Sequence, residues 1–575
     1  MAENFYLDNS DIKFNLKSIG LDDVVFMREH GYTEFEKYPY APVDFDDAID
    51  SYDKVLAMFG EICGEMIAPR AAGVDEAGCT LEKGKVSYAP GTDLNLKDLR
   101  DAQVMGATLP RRYGGLNMPV TLYTMMNEMV SRADCSLQNL FGLQDIADTI
   151  NKFANEDQKS RYLPRFASGE VDGAMALTEP EAGSDLQAVQ LKATYDKAKN
   201  IWYLNGMKRF ITNGCAKVHL VLARSEEGTK DGRGLSMFVC ESGPQLVVRR
   251  IEDKMGIHGS PTCELQFNNV PAELVGERRR GLTRYIMSLM NGARVAISAQ
   301  ALGVAEAAYR NALKYAHERE QFGKPIIKFP AVYEMLVSAR VRIAAGRALL
   351  YETTKYVDLR DIYEERCNHA DTPNPEDRQN EKKYTKIAAV LTPLAKAYLT
   401  ELGNQVAYDG IQIMGGTGFM RDFPAERYYR DVRITNIYEG TTQLQYVAAI
   451  GGVMLRTMDP LMADISKLPF EGKLRRLASA VDMGHEKLVR AVKAVDARKD
   501  SAYHDLMARR LCEMETIVFC SYLLLRGALQ DKSREVLAER YIQMMLPILD
   551  AHAEVVLNGD AGIGIIDSYE TVLAM

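Results

Sequence analysis

Apolar residues recur at helical spacing through the first third of the chain. Ala48, Tyr52, Val55, Leu56, Phe59, Ile62 and Met66 share one face behind a cap at Asp44, which predicts a helix from Phe45 onward. Leu122, Met125, Met126, Met129 and Val130 form a second face, and Ile146, Ile150, Phe153 and Ala154 a third. The stretch 80–95, with Gly84, Pro90 and Gly91, reads as a loop. Near Gly173 the spacing of apolar positions drops to alternation. Runs at 190–195, 201–204, 218–223, 235–239 and 263–267 are expected strands of one compact β domain, broken by turn-forming residues at 196–200, 228–234 and 268–269. Trp202, the single tryptophan, reads as a packed strand residue. From Gly281 helices return over 296–316, 331–356 and 384–406. In the first of these Ala296, Ala299, Ala301, Gly303 and Ala305 suit the close helix contacts of a bundle.

Three segments flank or interrupt this order. Residues 1–45 are aromatic, acidic and weakly periodic and are expected to lie on the surface of the main body. Segment 357–383 is charged throughout and reads as a solvated loop with helix ends. Beyond Gly452 the chain reads as helical again, with Leu474, Leu477, Val481, Val518, Leu523 and Leu524 at apolar positions. The expected class is therefore mainly α with a central β domain. Its division is an N-terminal extension (1–45), an α-helical domain (46–172), a middle β domain (173–277), a four-helix bundle (278–455, interrupted at 357–383) and an extra helical domain (456–575).

A length of 575 residues allows several cores, and 47% hydrophobic with 26% charged residues is the balance of an ordinary globular protein. The net charge of −9 leaves no global basic footprint for nucleic acid or for an anionic membrane surface. The nine cysteines (63, 79, 135, 215, 240, 263, 367, 512, 520) form no C-x-x-C pair and read as reduced packing thiols. The eight histidines show no metal-ligand spacing, and His258 reads as a loop residue. The start lacks a basic region followed by an apolar run, and no apolar stretch is long enough to span a membrane, so a cytoplasmic location is expected.

Candidate chemistry concentrates at 433–445. A β-branched, apolar approach delivers Tyr438 and Glu439 to Gly440, and Thr441 and Thr442 then open a helix. A carboxylate on such a turn is desolvated, which raises its pKa towards that of a working base. The same carboxylate could equally serve only to offset the helix dipole.

Other stretches bear on that choice: 176–185 (Ala-Leu-Thr-Glu-Pro-Glu-Ala-Gly-Ser-Asp), 210–214 (Phe-Ile-Thr-Asn-Gly), 318–324 (Glu-Arg-Glu-Gln-Phe-Gly-Lys) and 412–419 (Gln-Ile-Met-Gly-Gly-Thr-Gly-Phe). Together with Tyr438-Glu439-Gly440-Thr441, and in this order, they resemble the signatures and catalytic loop of the acyl-CoA dehydrogenase family. The resemblance covers roughly residues 46–455. The long N-terminal segment, the insert and the C-terminal tail resemble the longer branch of that family.

The resemblance implies a fold of an α domain, a β-barrel-like domain and a four-helix bundle, with FAD as cofactor. It implies that Glu439 takes the α-proton of an acyl-CoA thioester while the β-hydrogen leaves as hydride to the flavin. For FAD it points to Met175, Leu177, Thr178, Gly183 and Ser184; to Phe210, Ile211 and Thr212; to Arg319, Gln321 and Phe322; to Gln412, Gly415 and Gly416; and to Thr441 and Gln443. For acyl-CoA it points to Ser184, Asn291, Arg294, Tyr438 and Gly440. Departures from the family pattern are Phe210 where Trp is commoner, Asn291 where many members carry Asp, and Pro330 where Gln is frequent. Gly292 and Ala293, where some branches place the base, cannot titrate, which favours Glu439.

An electron-transfer flavoprotein is the implied acceptor, and a homodimer or homotetramer the implied assembly. An oxidase passing electrons to oxygen is the nearest rival. A DNA-associated or non-catalytic flavin-binding relative is the remaining alternative, opposed by a C-terminal tail whose 16 basic and 18 acidic residues over 452–575 nearly cancel.

Overall fold

A computed structural model describes residues 3–369 and 374–575. The chain divides into two units. One comprises the segment up to Asn9, Val25–Val304 and Arg427–Ile434; the other comprises Ser10–Val24, Ala305–Glu426 and Thr435–Met575.

In the first unit the expected helices form at Phe45–Glu61, Val120–Ala133 and Ile146–Phe153. Asp44 caps the first of them by accepting from Asp47 N. Met125, Met126 and Met129 are fully buried, as core fillers should be. Where the sequence suggested a loop at 80–95, strands β1 (Thr80–Glu82) and β2 (Lys85–Ser87) pair as a hairpin around Gly84, and a helix starts at Pro90. Proline suits the first helical position because the missing N–H has no intrahelical partner there.

The central sheet contains β3 (Gly173–Ala176), β4 (Lys192–Asp196), β5 (Ile201–Thr212), β6 (Val218–Arg224), β7 (Leu235–Glu241), β8 (Leu246–Ile251) and β9 (Thr262–Val275). The order is β3-β6-β4-β5-β9-β7, and β7 also pairs with β6, so five strands close on themselves; β8 attaches to β9. The closure is uneven. β6 and β7 share a seven-pair antiparallel register, whereas β4 meets β6 only at Lys192 and Arg224.

Alternation along β6 sorts its side chains. Leu220 and Leu222 join a core with Ile146, Ile150, Leu163 and Phe166, while Val221 and Ala223 join a second core with Leu204, Phe238, Leu265 and Phe267. Trp202 lies in that second core, its ring 5.2 Å from Phe238. β8 was not anticipated, because Arg249 and Arg250 interrupt its apolar residues and none of its side chains is fully buried.

His258, in the loop before β9, is ion-paired. Its Nδ1 lies 2.8 Å from Asp75 Oδ1 and its Nε2 lies 2.8 Å from Lys254 O, so both ring nitrogens face acceptors. Arg430 engages the same Asp75 carboxylate. The hydrogen bond to Asp75 raises the imidazole pKa from 6.5 to about 9. A raised histidine pKa adds stability that is complete below the unfolded value and lost as pH rises through the folded one. The native protein should therefore exceed His258→Gln in stability by about 1 kcal/mol at pH 6, a margin that closes by pH 10. Melting curves across that range check it, and a margin independent of pH would contradict the pairing.

The second unit is helical. The segment read as a weakly periodic surface extension forms the helices Ser10–Ser18 and Asp22–Arg28, the former within this unit. Asp11, 3% exposed, accepts from Arg340 Nη1 at 2.8 Å, Arg347 Nη1 at 2.9 Å and Arg534 Nη1 at 2.9 Å. Arg347, itself fully buried, also reaches Glu306 at 2.9 Å.

Two 40-residue helices, Pro330–His369 and Pro375–Met414, pack side by side. They take up most of the 357–383 segment that the sequence assigned to a loop with helix ends; residues 370–373 lie outside the described residues. The helix Thr442–Met454 packs against Pro375–Met414, and a Cβ on Gly452 would overlap Val390 Cγ2, so this approach requires glycine. The C-terminal helices Gly472–Arg498, Ser501–Gln530 and Glu535–Asn558 pack on one another, as the tail pattern predicted.

Candidate active site

The turn carrying Glu439 is defined by its backbone. Glu439 has φ +56° and Gly440 φ +91°, two left-handed residues in succession. Such a conformation is uncommon for a residue with a Cβ and persists only where the surroundings hold it. Thr441 then caps the helix Thr442–Met454, its Oγ1 accepting from Leu444 N at 3.4 Å. Glu439 thus sits on a turn at a helix start, as read from sequence, and its side chain is half-buried.

The helix Pro375–Met414 grips this turn. Lys396, fully buried, donates from Nζ to Thr435 O at 3.1 Å, Tyr438 O at 2.9 Å and Gly440 O at 2.7 Å. Glu401 Oε1 accepts from Thr442 Oγ1 at 2.9 Å and from Asn436 Nδ2 at 3.2 Å. Gln445 Nε2, from the helix that follows, adds a bond to Gly440 O at 2.8 Å. Sequence reasoning passed over Lys396, Glu401 and Gln445. The available signal was Lys396 itself, a lone cation in the apolar run 387–399.

The same unit assembles a second group. Arg319 follows the helix Met287–Glu318, and Gln321 and Phe322 belong to the hairpin of β10 (Glu320–Gln321) and β11 (Lys324–Pro325). Ile413, beside Gln412, packs in one cluster with Ala312, Ala316 and Ile326, and Tyr315 Oη lies 3.3 Å from Thr417 Oγ1. These contacts bring the 319–322 and 412–416 stretches together. Arg319, Gln321, Phe322, Gln412, Gly415 and Gly416 are all exposed, and no atom lies within 4 Å of a Cβ built on either glycine. Open glycine backbone and an exposed guanidinium on two neighbouring stretches fit a phosphate-bearing group.

The first unit holds the remaining candidates. Met175, Leu177 and Thr178 lie at the end of β3, next to the end of β5 that carries Phe210, Ile211 and Thr212; Arg209 N donates to Thr178 O at 2.9 Å. Lys208, fully buried, fastens the two by donating to Leu177 O at 2.7 Å and to Glu179 Oε1 at 2.8 Å. Burial lowers its pKa from 10.5 to about 8 against the opposing pull of Glu179. Glu179 also accepts from the backbone N–H of Gln190 and Leu191, which occupies it structurally.

Phe210 is 53% exposed with φ +59°, an aromatic face held outward. Gly183 and Ser184 are exposed in the loop beyond. An exposed ring beside the buried Ile211 and the half-buried Met175, Thr178 and Thr212 suits a planar heteroaromatic group. In the same unit Arg294 Nη1 donates to Asn291 Oδ1 at 3.0 Å, so these two predicted substrate contacts are joined.

Comparison with known proteins supplies the family. The chain matches the family models described as acyl-CoA dehydrogenase N-terminal domain (residues 50–170), middle domain (174–270) and C-terminal domain (280–370 and 375–450), and a further model, acyl-CoA dehydrogenase C terminal (456–558). It is 34% identical over 467 residues to 3-methylmercaptopropionyl-CoA dehydrogenase of Ruegeria pomeroyi, covering 76% of each chain. The chain belongs to the acyl-CoA dehydrogenase family.

Among solved structures, a chain from work on the electron transferring flavoprotein of Acidaminococcus fermentans is 32% identical with a TM-score of 0.59, covering 69% of this chain and 96% of its own. An acyl-CoA dehydrogenase of Bacillus anthracis complexed with FAD has a TM-score of 0.74 at 22% identity, covering 90% of this chain and 91% of its own, and carries the likeness of fold into the C-terminal helices. The chain is accordingly an FAD flavoprotein and an oxidoreductase acting on acyl-CoA. Among the described residues no helix is long and apolar enough to cross a membrane, and no cluster of side chains could hold a metal ion.

Proposed function

We propose that this acyl-CoA dehydrogenase oxidises an acyl-CoA to the 2-enoyl-CoA with Glu439 as the α-proton base. The observation that carries the reading is the left-handed, half-buried Glu439-Gly440 turn, held by three carbonyl contacts to one buried lysine. An α-proton beside a thioester is weakly acidic, so the base must meet it while a donor steadies the charge growing on the carbonyl oxygen. Glu439 supplies the carboxylate, and its own backbone N–H is the donor this chain offers to the carbonyl. FAD, when bound, supplies the acceptor for the β-hydrogen as hydride, a step no side chain can perform.

The Met175–Thr178 and Phe210–Thr212 strand ends are assigned to the isoalloxazine, with Ser184 shared with the acyl-CoA. Arg319, Gln321, Phe322, Gln412, Gly415 and Gly416 are assigned to the diphosphate and adenosine, and Thr441 and Gln443 to the remaining cofactor contacts. Asn291, Arg294, Tyr438 and Gly440 are assigned to substrate. The electron acceptor is an electron-transferring flavoprotein, a reading supported by likeness to a chain studied with such a protein.

The test is anaerobic stopped-flow mixing of the FAD-loaded protein with acyl-CoA thioesters of graded length and branching. The series includes 3-methylmercaptopropionyl-CoA, the substrate named for one relative. Bleaching of the flavin by at least one thioester, followed by reoxidation that is fast with an electron-transferring flavoprotein and slow with air, is expected. Peroxide formation at turnover rates would replace the dehydrogenase by an oxidase, and a panel that bleaches nothing would end the assignment.

A further inference from the structure

We infer that Lys396 is the positioning residue for the proposed base: it sets the left-handed turn that carries Glu439, and the reaction depends on it through that turn. The inference rests on the proposed role of Glu439.

An ammonium has three N–H donors in tetrahedral arrangement. Here Thr435, Tyr438 and Gly440 each offer a carbonyl oxygen to Nζ, at 3.1, 2.9 and 2.7 Å. Tyr438 and Gly440 flank Glu439, so one cation holds the peptide on either side of it. Successive left-handed residues at 439 and 440 turn those two carbonyls onto the same point. Without a cation there, two half-buried carbonyl oxygens would face each other, and the turn would relax towards an ordinary conformation that swings residue 439 elsewhere.

The helix that supplies Lys396 also supplies Glu401, which holds Asn436 and Thr442 on either side of the turn. Lys396 and Glu401 are five residues apart on one long helix, so their spacing is set by the helix rather than by a loop. Gln445 completes the hold from the other side, through Gly440 O and, at 3.4 Å, Glu439 O. Every backbone carbonyl from Tyr438 to Gly440 is thereby occupied by a side-chain donor from a helix. That is more restraint than a helix cap requires, since Thr441 already provides the cap.

A misplacement of about 1 Å at a reacting group lowers a rate about 100-fold, while binding made elsewhere is untouched. Lys396→Met, similar in length and without donors, is therefore expected to slow the limiting rate of anaerobic flavin reduction about 100-fold at saturating acyl-CoA. The probe is the thioester that bleaches fastest in the graded series. FAD content should stay close to that of the unaltered protein, and the dissociation constant for that thioester should change far less than the rate, since Tyr438 and Gly440 are only part of the assigned substrate contacts. Deuterium at the α-carbon should slow the variant more than it slows the unaltered protein, because proton removal becomes the slower event; deuterium at the β-carbon should not gain in effect. A general loosening of the fold would weaken FAD retention and ligand binding together and would leave the two isotope effects in their original proportion.

Should Lys396→Met fail to retain FAD, Lys396→Gln decides, since its amide keeps two of the three donors; an intermediate rate with the same isotope pattern is expected. A folded variant of either kind that reduces flavin at the unaltered rate overturns the inference. Glu439→Gln, measured in parallel, separates the two claims. If it is inactive while Lys396→Met is fully active, only the positioning role falls; if it is active, the base assignment falls and takes this inference with it.

Discussion

Glu439→Gln is expected to retain FAD and to bind acyl-CoA as before, yet to slow flavin reduction by about 10³-fold, within the range that a positioned general base contributes. The amide matches the carboxylate in size and meets the same backbone geometry at φ +56°, so the turn has no new reason to move. It cannot take up a proton. Loss of rate without loss of binding then isolates proton removal, because a group acting on ground and transition states alike would change the dissociation constant instead. Stopped-flow absorbance under anaerobic conditions reads both quantities from one concentration series. Reduction at the unaltered rate would exclude Glu439 as the base.

Asp11→Ala should be the most damaging change away from the site, costing about 3–5 kcal/mol of stability. Burial alone would raise this carboxyl's pKa, but Arg347, Arg340 and Arg534 outweigh it and hold the group well below the usual carboxylate range. Removing the carboxylate leaves the fully buried Arg347 with Glu306 as its remaining partner of the pair it bridged. A depressed carboxylate pKa contributes stability that is present above its unfolded value, near 3.8, and lost as pH falls further. The difference in denaturant midpoint between Asp11→Ala and the native protein should therefore be full at pH 6 and shrink below pH 4. A deficit under about 1 kcal/mol at pH 6 would show that the three arginines find other partners.

Asp11 also shows where sequence reading stops. The helix Ser10–Ser18 is nine residues long, and two of its four buried side chains are Asp11 and Asn15. A period search weighs apolar residues, so a short helix anchored by polar ones registers as irregular. The charged segment 357–383 misled in the other direction. Its charges solvate the far ends of two long helices, and composition does not separate a solvated helix from a solvated loop. By contrast, the Phe45 helix and strands β6 and β7 were legible because each buries a continuous apolar face.

At the site, the Tyr-Glu-Gly-Thr turn could be read because Gly440 and the threonines mark a turn and a cap locally. Lys396 lies 43 residues earlier in the chain (439 minus 396) and makes sense only once the helix carrying it is folded against that turn. A lysine within a helix ordinarily points to solvent. The apolar run 387–399 around this one marks it as unusual, but only the tertiary arrangement shows what it holds.

The closed sheet has an unequal circumference. Where β6 and β7 run together over seven residue pairs the wall is firm, but between β4 and β6 it is joined at Lys192 and Arg224 alone, stitched by Arg224 side-chain bonds to Val189 O and Gln187 O. Breathing motions of the barrel will start at that seam. Residues 177–191 lead from β3 directly into it, so FAD held at Leu177, Thr178, Gly183 and Ser184, as proposed above, would favour the shut form and leave the empty protein the more readily unzipped of the two.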